Sequence, residues 1–203
     1  MILQASFRLP YADSNELRTE ATSHNQLRIA LQYLKLRLIA VAPKPDIKAV
    51  APDMWSGWGI RTLSALHPSF NPYNYQTGSV WPHDNAVIAL GFKRYGFGAE
   101  AAQIARHISD AGSHFLSNQL PELYTTIERN EDSFPVQYLG ANVPQAWAAG
   151  SVFTLMLAIL GIVPDAPRGK LYIDPQLPRW LPDLTLLDLH LGRHKFDLSL
   201  IHI

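Results

Sequence analysis

Cysteine is absent from the 203-residue chain. Neither a disulfide framework nor a thiolate metal site can form. Charge is sparse and balanced: 17 Lys and Arg face 17 Asp and Glu, a formal net charge of zero. No basic stripe stands out, so nucleic acid is not an expected partner. Membrane-spanning runs are missing as well; Val152 to Ile162 is too short, and no membrane partner is expected. Met1-Ile2-Leu3-Gln4 lacks the basic start and apolar stretch of a secretory signal, which makes a cytoplasmic location the expectation. No phosphate loop or nucleotide fingerprint occurs, and no cofactor is expected. His83 and Asp84, with His67 at a distance, do not make a metal triplet, because adjacent residues on one loop rarely face one ion. No Ser lies in a nucleophile-elbow context. Internal repeats and low-complexity tracts are missing too. What remains is a 47% apolar chain with fifteen prolines. That is enough for a substantial core with many ordered turns, as one domain or part of a larger one.

Residues 1 to 13 show no clear period. A helix is expected from Ser14, with apolar positions at Leu17, Leu27, Leu31, Leu34 and Leu38, ended by Pro43 and Pro45. A short helical turn follows at 46–50. Asn85 to Tyr95 predicts a helix buried on most sides, with Gly96 as its C-cap. Ala99 to Asn118 predicts a second, carrying a stripe of Ala101, Ala102, Ile104, Ala105, Ile108, Ala111, Phe115 and Leu116. The short Gly96-Phe97-Gly98 link predicts an antiparallel pair. A long polar loop runs from Leu120 to about Val143, and loops of that length inside compact regions are usually functional or mobile. Pro144 introduces a largely buried third helix, Gln145 to Leu160, closed by Gly161. Leu171 to Ile173 reads as a strand. The alternating runs 184–191 and 195–200, either side of Gly192-Arg193-His194, read as a β-hairpin.

Asn71 to Asn85 concentrates Tyr, Trp, Asn, Gln, Ser, His and Asp into one stretch, followed at once by a helix. Flat aromatics beside hydrogen-bonding side chains suit a sugar, whose CH faces stack on Trp and Tyr while its hydroxyls pair with amides and carboxylates. The structural alternative is a helix-capping loop with Asp84 as N-cap. Gly57-Trp58-Gly59 lets the backbone pass close to something flat, or simply makes a turn around a core Trp. Arg61 is placed to clamp a protein carboxylate or a ligand hydroxyl. Glu122, between Pro121 and Leu123, is either salt-bridged or held with a raised pKa for proton transfer. Glu128, Glu131 and Asp132 read as solvated.

The run Asn74-Tyr75-Gln76-Thr77-Gly78-Ser79-Val80-Trp81-Pro82-His83-Asp84-Asn85 resembles the signature of bacterial amylo-α-1,6-glucosidase, glycogen debranching enzyme-like proteins. Ser56 to Ser64, Leu120-Pro121-Glu122-Leu123, Pro144 to Gly150 and Leu177 to Pro182 resemble further family segments, in the family's order. Together they span about Val50 to Leu198. The resemblance implies a mainly α fold, part of an (α/α)6 toroid of the six-hairpin glycosidase type, with a short C-terminal antiparallel β appendix. It implies hydrolysis of an α-glucosidic bond with inversion, by one carboxylic acid that protonates the leaving oxygen and one that activates water. Glu122 matches the general base. Trp58, Tyr75, Trp81 and His83 would line the sugar subsite, with Arg61 and Asp84 as further substrate contacts. Trp147, on so apolar a helix, is expected in the core.

The family's general acid lies in a Trp-Lys-Asp-Ser-like motif upstream of Gly-Trp-Gly, and no such motif occurs here. The chain is therefore expected to be a C-terminal fragment, inert by itself. Residues 1–45 form an unmatched segment, 46–165 the partial glycosidase domain and 166–203 the β appendix. If the chain does act alone, Asp84 and Asp53 are the first candidates for the acid. A partial ring is also expected to expose apolar helix faces and to self-associate. Two other readings stand beside this one. The chain could be a non-catalytic carbohydrate-binding module, or belong to a toroid glycosidase for another glycoside such as trehalose or mannosylglycerate. A purely structural helical domain is a further alternative.

Overall fold

The computed structural model describes residues 3–6, 51–125 and 127–201. The helix expected from Ser14 and the turn at 46–50 lie outside the described residues. Among those described, three helices combine with two small antiparallel sheets. The helices are α1 (Pro82–Arg94), α2 (Gly98–Gly112) and α3 (Ala146–Leu160). In chain order the strands are β1 (Leu3–Ser6), β2 (Val163–Asp165), β3 (Lys170–Ile173), β4 (Asp183–Leu191) and β5 (His194–Ile201).

Helix α1 starts three residues earlier than its apolar pattern suggests. Pro82 occupies the first turn, where its missing N–H costs nothing. Trp81 is the N-cap and Asp84 sits inside the first turn, so Asp84 is not the cap. It faces the positive end of the helix dipole instead. The buried face of α1 is Asn85, Ala86, Ala89 and Phe92, while Val87 is exposed. Small residues on that face let α1 pack closely on both α2 and α3.

Helix α2 ends at Gly112, not at Asn118. Glycine is a weak helix former, and Ser117 and Asn118 then adopt left-handed backbone angles, φ 54° and 56°. Only a 3-10 turn survives at Leu116–Asn118. Phe115 packs on Tyr124 at 5.6 Å between ring centroids. Helix α3 is capped by the Gln145 side chain, which accepts from the Ala146 N–H at 3.0 Å. It closes at Gly161 in the left-handed conformation, φ 58°. A Cβ there would stand 2.5 Å from the Asp174 carbonyl oxygen. The expectation that α3 is largely buried fails on one side. Val152, Phe153 and Leu157 form an exposed apolar stripe, with Phe153 at 74%.

β1 and β2 flank β3, with Leu3 opposite Ile173 and Val163 opposite Tyr172. Neither flanking strand shows a readable period, because each is only three or four residues long. The 165/166 boundary expected between domain and appendix falls between paired strands. The Asp174 and Gln176 N–H groups donate to Leu160 and Ile159 carbonyls, and Lys93 pairs with Asp174 at 3.0 Å. This sheet is thereby fastened to the ends of α1 and α3. β4 and β5 form the expected hairpin, with a bulge between Leu186 and Leu189 where Asp188 has φ 60°.

One side chain joins the loop before α1 to the helix itself. Asn85, 1% exposed, accepts from the Ile60 N–H at 2.7 Å. Its amide donates to the Ile60 and Trp81 carbonyls, each at 3.0 Å. Asn85→Ala leaves the buried Ile60 N–H and C=O without partners and should cost about 3 kcal/mol, read as a lower urea midpoint with unchanged slope.

Around Trp58 a second polar group ties α2 to the loops. Arg129 lies over the Trp58 ring at 4.3 Å, bonds Asp110 at 2.8 Å, and donates its N–H to the Ser56 carbonyl. His107 packs edge-on to Trp55 nearby. Burial, with help from Arg129 and against Asp110, holds the His107 pKa below its ordinary value. Folding therefore favours neutral His107: its contribution is complete above the unfolded value of about 6.5 and is lost as the pH falls below it. Urea midpoints at pH 7.5 and 5.5 should differ less in His107→Gln than in the wild type.

Candidate functional site

The Asn71–Asn85 stretch passes from a surface loop into the core and out again. Val80 and Tyr124 exchange backbone hydrogen bonds at 3.0 and 3.1 Å. Successive residues of extended chain point to opposite sides. Val80 and Tyr124 join the main core, while Trp81 and Leu123 turn to a separate small cluster with Ala141 and Tyr138. This second side carries the candidate site.

Trp81 is 4% exposed and donates its indole N–H to Ser79 Oγ at 3.2 Å. Tyr75 meets it edge-on at 5.2 Å and Trp147 at 6.0 Å. Tyr138 lies 6.0 Å from Tyr75. The His83 ring stacks on Trp147, 5.1 Å between centroids and 19° between planes. His83 Nδ1 lies 3.4 Å from the Asp84 carboxylate. Tyr75 and Trp147 stay about half exposed, at 46% and 45%. The result is an open aromatic shelf with a buried indole behind it and an imidazole and a carboxylate along one edge.

Glu122 precedes Leu123, and Asn142 follows Ala141, so both lie one residue along the chain from the small cluster. The Glu122 N–H donates to the Asn142 carbonyl at 3.1 Å. The Asn142 side chain donates back to Glu122 Oε2 at 3.2 Å, and the Asn142 N–H lies 3.4 Å from the same oxygen. Among the described residues no cation pairs with Glu122, and a neutral amide holds this carboxylate. Oε1 is left without a hydrogen bond among the described residues.

Two expected substrate contacts lie elsewhere. Trp58 is 2% exposed, with the Arg129 guanidinium over its face and His114 at its edge. Its carbonyl accepts from the Tyr124 hydroxyl at 2.7 Å. It is a core residue and no sugar platform. Arg61 is 6% exposed and donates to the Asp53 and Trp55 carbonyls at 3.1 and 2.6 Å. Among the described residues it clamps no carboxylate; it fixes a loop. Asp53 is bound by the Ser64 hydroxyl in that same loop. Trp147 departs from expectation the other way: it belongs to the shelf, not the core. The turn from Gln145 into α3 puts residue 147 on the side facing His83.

Asn142 and Tyr138 were not visible as site residues. Their only signal was membership of the long polar loop, which folds back so that Thr125 N–H bonds Val136 and Tyr138 N–H reaches the Leu123 carbonyl. Among the described residues no three potential ligands form a metal-binding group, and no helix is long and apolar enough to span a membrane. No protein-family model matches the chain, and no curated protein matches it.

Burial separates the two indoles of the shelf. Trp81→Ala should cost about 3–5 kcal/mol, whereas Trp147→Ala should cost about 1 kcal/mol or less. Chemical denaturation of both variants would show whether the exposed indole is dispensable to the fold.

Proposed function

We propose that this chain is the C-terminal part of an inverting glycoside hydrolase that acts on α-glucosidic bonds, of the amylo-α-1,6-glucosidase kind. The observation that carries the proposal is the open shelf of Tyr75, Trp147 and His83, together with a carboxylate held by an amide one residue along the chain from the cluster behind it. A glucosyl ring lies with its CH face on Trp147 or Tyr75. His83 and Asp84 take its hydroxyls. Asn142 occupies Glu122 Oε2, and Oε1 faces the water that attacks the anomeric carbon, so Glu122 serves as general base. The acid that protonates the leaving oxygen comes from a segment upstream of this sequence, on the opposite face of the sugar, with room for water between the two carboxyls.

Helix packing agrees with the toroid reading. α1 and α2 are joined by a short link, α3 packs on both, and the open Val152–Phe153–Leu157 stripe suits a neighbouring helix of a ring. A second reading, a carbohydrate-binding module, draws on the same shelf and needs no acid.

The test is glucose release from panose, isomaltose, maltotriose and branched limit dextrin. The chain alone should release none, and a version extended upstream to include an acid should release glucose. In that longer protein Glu122→Gln should lower kcat by about 10²–10⁴-fold with the fold intact. Wild-type rates in Glu122→Gln would reject the base assignment. Saccharide binding with no turnover in the extended protein would favour the module.

A further inference from the structure

A cleft of about 470 Å³ shares no residue with the shelf. Its floor is the first three turns of α2, Gly98, Ala99, Ala102, Gln103 and Arg106, and its wall is the segment after β3, with Gln176, Leu177 and Trp180. It sits at the far end of the α1–α2 pair from the shelf, which lies at the start of α1. The 13 residues of α1 separate the two by about 20 Å.

The cleft depends on a glycine. A Cβ on Gly98 would stand 1.5 Å from Gln176 Oε1, so only glycine lets this amide lie against the start of α2. Leu177 is packed on the main core and anchors the wall, while Trp180 keeps 36% of its surface exposed.

The polar groups here are mostly neutral. Gln103 and Gln176 present amides. Arg106 is the one charged side chain of the lining, and it already lies 3.7 Å from Asp110. An anion would find that charge shared. A neutral polyol with one flat apolar face fits better: the indole of Trp180 takes the CH face, the amides and the guanidinium edge take hydroxyls, and the volume lies in the range of small-molecule sites. We propose that this cleft is a second saccharide-binding site, remote from the shelf and without chemistry. It extends beyond the hydrolase reading and does not require it.

Indole N–H resonances give each site its own reporter. The full chain, labelled with 15N, is titrated with maltotriose. The Trp180 signal should shift saturably. In Gly98→Ala, where the new methyl displaces only the tip of a flexible side chain, affinity read at Trp180 should fall about tenfold, as for loss of one amide hydrogen bond. The remaining spectrum should stay native. A shift at Trp147 or Trp81 with none at Trp180 would overturn the cleft and leave the shelf standing. A Trp180 shift with silent Trp147 and Trp81 would support the cleft and count against saccharide binding at the shelf. No shift at any indole would overturn both. Equal affinity at Trp180 in wild type and Gly98→Ala would remove Gln176 from the site and overturn the cleft as drawn.

Discussion

Asn85 is the constraint on which the rest of the structure depends. A polar side chain at 1% exposure is costly unless its hydrogen bonds are made. Here the amide works in both directions, receiving the Ile60 N–H and returning two bonds to carbonyls. Those carbonyls belong to different segments, one in the loop before α1 and one at its N-cap. The clamp thus fixes where α1 begins relative to the Trp55–Arg61 loop, and Gly59 must approach it closely: a Cβ there would lie 3.1 Å from Asn85 Oδ1. A hydrophobic residue at position 85 would suit the apolar face and abandon the loop.

From that fixed start, one antiparallel bridge sorts core residues from those of the aromatic shelf. Val80 and Tyr124 face the core, and burial raises the Tyr124 pKa well above its ordinary value, which keeps the phenol a neutral donor to Trp58. Their neighbours Trp81 and Leu123 face the shelf. The carboxylate of Glu122 therefore stands one residue beyond a rigidly buried pair. In the proposed hydrolase, pre-organisation of this kind is what a positioned base would require.

Much of the helical frame was legible because it was local. The apolar spacing of α2 marks Ala101, Ile104, Ala105, Ile108 and Ala111, which are buried, whereas Ala102 is only partly covered and Leu116, past the end of the helix, is exposed. Gly161 closes α3 as its position suggests, and Gly192-Arg193 turns the hairpin. The failures came where tertiary contacts overrode local pattern. Trp58 and Arg61 carry the residue types of a ligand site, yet long-range contacts with Arg129 and with backbone carbonyls bury them. Trp147 carries the pattern of a core residue, yet it meets the Trp81 and His83 rings at the surface and stays about half exposed. The Asn142–Glu122 pair spans twenty positions, and nothing in either neighbourhood announces the other.

Helix α1 also acts as a ruler. Its first turn is set by Asn85 and its last by Lys93, paired with Asp174 just past β3. Both ends are therefore indexed to other parts of the chain, and the helix can neither slide nor rotate freely between them. Adding one residue within α1 would turn its far end by about 100°, so that either the amide clamp or the ion pair would lose register. Apart from His83 and Asp84, side chains on the exposed side of this helix can vary. Its length cannot, because the eight residues from Asn85 to Lys93, about 2.2 turns, aim both contacts at once.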